Sequence, residues 1–198
     1  MKTIFKNWHM CINMFPHPFF SKKITKYIIF NEQSKYLLKD GDDISEDQYD
    51  LNKLFGFTSG LTGKISKQLP NTPKQDLPYY YRPAHWNSAR FVWNYDPKTD
   101  DMQVTWYVYD KGVRMYDTKD KVNLKFNKEY ELSIEKTENS YIFTIADIKY
   151  NYIFKDPTTI WNKTLNISET SKVGWSLPLF FGGNKPAPNK ILIKMDSL

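Results

Sequence analysis

The chain is poor in cysteine and arginine, and it has no long apolar run. Cys11 is the only cysteine in 198 residues, so no internal disulfide can form and no thiolate cluster can hold a metal. The fold therefore does not depend on an oxidising compartment. No stretch approaches the ~20 apolar residues of a membrane-spanning helix, and no membrane span is expected. Met1 to Lys6 has the charged start of a signal peptide. Asn7, His9, Asn13, Pro16 and His17 then interrupt the apolar region of about 7–15 residues that export requires. No signal peptide is recognised, and the expected location is the cytoplasm or a virion. The glycosylation patterns starting at Asn162 and Asn166 matter only in a secretory pathway.

Arginine is scarce, at 3 against 25 lysines, within a net charge of +6 and a pI near 9.1. The lysines alternate with acids, as between Lys35 and Asp40, instead of clustering along one element. That pattern reads as surface solvation and AT-rich codon usage, and nucleic acid is not the expected partner. A mild positive field suits an acidic polysaccharide or an acidic protein neighbour. Several chemical signatures are also missing: a phosphate-cradling loop, a Ser-His-Asp arrangement and paired glycosidase carboxylates. Asp40, Asp42, Asp43 and Asp47 do not follow a calcium-loop spacing, and His9 and His17 make no zinc motif. No cofactor and no metal is expected.

Aromatic residues are abundant, with 6 Trp, 14 Tyr and 13 Phe. Each can remove roughly 150–250 Å² from water when buried, so core material is ample. The dominant pattern is alternation of period two. Tyr130, Leu132 and Ile134 face one way, and Glu131, Ser133 and Glu135 the other; a turn then leads to Tyr141, Phe143 and Ile145. Met102, Val104, Trp106 and Val108 form one face of a second run, with Gln103, Thr105, Tyr107 and Tyr109 opposite. Residues 88–95 pair with this run across a turn at 96–101, and Asp110 to Gly112 turns it into 113–118. Further strands are expected at 24–30, 36–38, 53–57, 150–154, 175–181 and 190–195, with a short helical turn near 45–49. About eleven strands without helical periodicity predict an all-β, two-sheet antiparallel sandwich spanning residues 1–198 as one domain. Residues 58–87 read as a long aromatic, proline-rich loop, 156–172 as a weakly patterned connection, and 1–20 as a docking arm.

Four stretches occur in order: 52–57, 87–93, 106–112 and 175–188. Together they resemble concanavalin A-like lectin/glucanase jelly rolls, and look closest to a group of uncharacterised bacteriophage and gut-bacterial proteins. More remotely they are similar to jelly-roll polysaccharide lyases, which carry comparable Ser-x-Arg-x-x-Trp and Tyr-x-Tyr strands. The resemblance implies two twisted sheets, with any ligand site on the concave face of one.

On that resemblance Arg90 holds a carboxylate or sugar hydroxyls with its planar fork; otherwise it is a structural cation across the sheet. Tyr107 and Tyr109 stack on sugars or serve a lyase as acid and base, or else pack as ordinary cross-strand aromatics. His85 and Trp86 close the long loop beside this strand, as ligand contacts or as loop packing. If the protein is a lyase, its catalytic set is His85, Arg90, Tyr107 and Tyr109. Three readings stay open. One is a non-catalytic structural or binding module of a bacteriophage virion, contacting protein neighbours or a surface polysaccharide. The others are a lyase acting on an acidic polysaccharide by β-elimination, and a lectin-like binder.

Overall fold

The computed structural model describes residues 1–12, 15–60, 83–151, 154–168 and 170–197. Most of the predicted long loop, including Tyr79 to Tyr81, lies outside these residues. The described strands are β1 (Lys2–Ile4), β2 (Pro18–Phe19), β3 (Lys23–Phe30), β4 (Lys39–Asp40), β5 (Asp43–Ile44), β6 (Asn52–Thr58), β7 (Ser88–Asp96) and β8 (Asp101–Asp110). They continue as β9 (Val113–Tyr116), β10 (Val122–Leu124), β11 (Glu129–Lys136), β12 (Ser140–Asn151), β13 (Phe154–Asn166), β14 (Gly174–Leu177) and β15 (Ile191–Ser197). The chain is all-β, and every strand pairing is antiparallel.

One sheet runs β1-β15-β3-β11-β12-β13. The other runs β10-β8-β7-β6-β14-β2, with β9 continuing beside β8. Their inward faces meet in one aromatic core, which makes the pair a sandwich. Phe91 meets Phe143 edge-on at 5.2 Å between ring centroids, Phe57 meets Tyr141 at 5.8 Å, and Phe30 meets Trp93 at 5.8 Å. Alternation explains this: Met102, Val104, Trp106 and Val108 all point into the core, as their spacing predicts. The helical turn near 45–49 is a 3₁₀ turn, Glu46–Tyr49, capped by the Ser45 side chain.

Beyond the strand expected at 150–154, which is divided between the end of β12 and the start of β13, the strand pattern differs from the sequence reading in three places. Five strands of two or three residues are too short to leave a periodic signal: β1, β2, β4, β5 and β10. Tyr36 and Leu38 pack into the core, but residues 36–38 are not a strand. Gln48, fully buried, takes the place of a neighbouring strand for them. Its Oε1 accepts the Leu38 N–H at 2.7 Å, and its Nε2 donates to the Tyr36 carbonyl at 3.2 Å and the Tyr95 carbonyl at 2.9 Å. A buried side-chain amide thus satisfies backbone groups that would otherwise demand a ladder. The third difference is β13, a 13-residue strand where the sequence reads as an irregular connection. It is an edge strand with most of its side chains exposed, so it lacks a hydrophobic alternation. Pro157 is tolerated because it sits on that edge, and a bulge at Ile160, opposite Ile145 and Ala146, disrupts the edge against further pairing.

A partly buried carboxylate joins β13 to the opposite sheet. Asp120 accepts from Trp106 Nε1 at 3.1 Å, Trp161 Nε1 at 3.0 Å and Lys163 Nζ at 2.8 Å. Burial pushes its carboxyl upward, but Lys163 and the two indoles outweigh that and hold it below the ordinary range. Asp120→Ala should destabilise the fold by about 3 kcal/mol, since it removes charged hydrogen bonds and strands two indole donors. The depressed folded pKa places this contribution above the ordinary Asp value, lost as pH falls through the folded one. Urea unfolding of both proteins should therefore show a gap at pH 7 that narrows below pH ~4.

The N-terminal segment is tied down by its backbone. Asn7 N–H donates to Ala187 O at 2.8 Å, Phe181 N–H to His9 O at 2.7 Å and Ala187 N–H to Trp8 O at 3.1 Å. Its large side chains nevertheless face outward. Met1, Phe5, Trp8, Met10, Ile12, Phe15 and Phe20 are all exposed, seven of the thirteen exposed large apolar side chains among the described residues. No helix among the described residues is long and apolar enough to cross a membrane.

Candidate functional site

The outward face of the second sheet collects cations and phenols. In β7, Arg90 and Val92 point away from the core; in β8, Tyr107 and Tyr109 do the same, and Val92, Tyr107 and Tyr109 form a second small cluster with Leu51. Arg90 stands directly across from Tyr107, and Gly56 of β6 is its other neighbour. Lys111 and Gly112, both at positive φ (48° and 83°), make a two-residue turn of the kind hairpins prefer. This turn sets β9 so that Tyr109 faces Arg114 and Tyr107 faces Tyr116.

The same turn positions His85 and Trp86. Gly112 N–H donates to the Trp86 carbonyl at 2.9 Å, and Lys111 N–H donates to Asn87 Oδ1 at 2.6 Å. Held this way, the His85 ring stacks on Tyr109 at 5.1 Å. Trp86 is half-buried and enters this arrangement through its backbone carbonyl. The predicted residues His85, Arg90, Tyr107 and Tyr109 therefore do converge, and Trp86 flanks them.

The sequence reading missed three members. Lys53 Nζ lies 5.6 Å from the Tyr107 ring centre and donates to Leu51 O at 2.8 Å. Arg114 lies over Tyr116 at 5.1 Å and against the Tyr107 phenol. Tyr116 tilts against Tyr107 at 6.0 Å. The signal for Arg114 and Tyr116 was present: extending the predicted hairpin register by period two across Lys111-Gly112 places both on the Tyr107 face. Lys53 carried no comparable signal, because a bulge at Leu54 resets the alternation of β6.

Electrostatics make this face anion-seeking. Burial, then the neighbouring Arg90 charge, pushes the Lys53 amine down to about 8, against a smaller opposing pull from Asp50. Burial likewise pushes the Arg90 guanidinium down to about 10, so it stays charged at neutral pH. Among the described residues no carboxylate forms an ion pair with Arg90. Burial and the Tyr109 hydroxyl, 3.3 Å away, push the Tyr107 phenol well above its ordinary value. An entering anion would relieve the repulsion between Lys53 and Arg90, and the phenols offer neutral O–H donors and ring faces beside it. Elsewhere, Asp40 and Asp47 pair with Lys185, and His9 Nδ1–H donates to the Phe181 carbonyl, 2.8 Å away.

Comparisons of this chain with protein-family models, with curated proteins and with solved structures find no match.

Proposed function

We propose that the protein is a non-catalytic binding module of the concanavalin A-like jelly-roll type, and that the outward face of its second sheet takes an acidic polysaccharide. One observation carries the reading: Lys53, Arg90 and Arg114 gather around Tyr107, Tyr109 and Tyr116 with no carboxylate paired to Arg90 among the described residues. A uronate carboxylate supplies the missing charge, and sugar rings pack on phenol faces.

Arg90→Ala should weaken binding of a polyuronate such as alginate or polygalacturonate about 10- to 100-fold, the worth of a charge-assisted hydrogen bond. Isothermal titration checks this, and the melting temperature should barely move. Affinity should also fall as pH rises through about 8, as Lys53 loses its charge, and Lys53→Met should remove that step. Stability responds with the opposite sign. The unfolded lysine, near 10.5, holds its proton longer than the folded one, so Lys53's contribution to stability rises with pH between about 8 and 10.5. A neutral glycan bound as tightly as a polyuronate would overturn the acidic assignment.

The same electrostatics favour binding over β-elimination. A tyrosine acting as base near neutral pH needs its phenol shifted down, whereas Tyr107 is shifted up. Incubation with polyuronates should give no rise in unsaturated-product absorbance. A second reading, a virion-associated accessory protein docked on neighbours through residues 1–20, is supported by the cluster of exposed apolar side chains there. Such clusters mark interaction surfaces.

A further inference from the structure

Pairing at the start of the chain builds an apolar face that points away from the core. Ile4 pairs antiparallel with Cys11. Ile12 N–H donates to Thr3 O at 3.4 Å, and Trp8 N–H donates to Phe5 O at 3.0 Å across the intervening turn. Residues 3–12 are therefore a short hairpin. Its Ile4 and Cys11 side chains pack into the core. Alternation turns Phe5, Met10 and Ile12 the other way, and they are 40%, 48% and 40% exposed. Trp8, at the turn, is 52% exposed, and its ring lies 6.2 Å from that of Phe5. The backbone that presents these side chains is anchored, because Met10 bridges Phe180 and Asn7 N–H donates to Ala187 O at 2.8 Å.

Charge decides what this face takes. Residues 1–31 contain five lysines and no Asp or Glu. Residues 170–195, which supply the hairpin's neighbours at 180 and 187, contain four lysines and again no Asp or Glu. Lys6 and Lys190 are exposed, and Lys190 Nζ lies 5.9 Å from the Phe5 ring centre. Among the described residues neither of the two pairs with a carboxylate. Aromatic and aliphatic side chains bordered by lysines match the interfacial layer of an anionic bilayer. Indole rings settle at headgroup depth there, and each lysine gains from the negative surface. Two copies of this face would set lysine against lysine, which disfavours self-association. A protein neighbour adds about ten hydrogen bonds across a typical interface, whereas Phe5, Trp8, Met10 and Ile12 offer one side-chain N–H between them.

We propose that this hairpin docks the protein peripherally on an anionic lipid surface. Phe5, Trp8, Met10 and Ile12 enter the interfacial layer, and Lys6 and Lys190 meet the headgroups.

The test is co-sedimentation of the intact protein with vesicles of phosphatidylcholine alone and of equimolar phosphatidylcholine and phosphatidylserine. The mixed vesicles should bind at least tenfold more tightly, since each lysine near an anionic surface is worth about fivefold. That margin should shrink as salt screens the lysines, and Lys6→Glu combined with Lys190→Glu should erase it. Trp8→Ser, at an exposed position where the fold is not at stake, should weaken binding to the mixed vesicles about tenfold without moving the melting temperature. Trp8 is the only exposed tryptophan among the described residues, so bromine-labelled acyl chains should quench its emission. Trp8→Phe should lose that quenching and still bind. Trp8→Ser should leave polyuronate binding at the Arg90 face intact, and Arg90→Ala should leave vesicle binding intact, so the two readings fail separately. Absence of vesicle binding, which a face made for a protein neighbour predicts, would overturn the proposal. Equal affinity for the two kinds of vesicle, or an unquenched Trp8, would overturn it as well.

Discussion

Gly56→Ala is expected to destabilise the sandwich by about 3 kcal/mol or more, at or beyond the upper end of what overpacking costs, and to silence the Arg90 face as well. Gly56 pairs with Arg90 immediately beyond the bulge at Leu54, where β6 runs hard against β7. A Cβ built on Gly56 would penetrate the Ala89 carbonyl oxygen and come within 2.8 Å of the Arg90 Cα. These are backbone atoms, so no rotamer change can relieve the overlap; β7 must move off β6 and carry Arg90 with it. The demand for glycine here is close approach, because the φ of Gly56 is not in the left-handed region. Gly41 supplies the contrast. It has φ of +65° with nothing within 4 Å of a built Cβ, so alanine there should cost only backbone strain, about 1–2 kcal/mol. Urea unfolding of the two variants should give clearly different midpoints, and polyuronate titration should show loss of binding for Gly56→Ala alone. Equal midpoints would mean that β6 and β7 are not packed in this register.

The second large effect lies at the centre of the core. Trp93→Ala should cost about 3–5 kcal/mol, the range for deleting a buried large aromatic. Trp93 is fully buried and is boxed in by Phe30 at 5.8 Å, Tyr36 at 5.5 Å and Phe181 at 6.3 Å. These rings come from β3, from the segment held by Gln48, and from the stretch after β14, so the indole joins three parts of the chain that no ladder connects. Its Nε1 has no hydrogen-bond partner among the described residues, so the site already carries the cost of an unsatisfied donor. Trp93→Phe should therefore be much milder than the alanine variant, because the loss of volume is offset by removing that donor. Denaturant titration of the three proteins should rank wild type and Trp93→Phe close together and Trp93→Ala far below. A phenylalanine variant as damaged as the alanine one would show that the indole N–H is satisfied after all.

The site and the fold were legible in the sequence to different depths. Arg90, Tyr107 and Tyr109 could be placed on one face because β7 and β8 are long, regularly alternating and joined by a short turn, so that pairing register follows from spacing. His85 could be placed beside them as the residue leading into β7. The stacking of its ring on Tyr109 depends on Asn87 and the Trp86 carbonyl holding the Lys111-Gly112 turn, which are contacts between segments with no periodic signal. Lys53 joined the group only through a bulge, and a bulge reverses the facing of every residue beyond it.

By itself the sequence determined that this chain is a β protein with a large aromatic core and no internal disulfide, and it located β3, β6, β7, β8, β11 and β15 within a few residues. Alternation does this because a strand half-exposed to water must repeat every two residues. Only the tertiary structure decided that Gln48 substitutes for a strand beside Tyr36 and Leu38, and that the polar stretch after Phe154 is a sheet edge. It also brought Lys53 and Arg114 to Arg90. Each of these rests on contacts between residues far apart in the chain, where burial and pairing are settled by the partner that arrives and not by the local pattern.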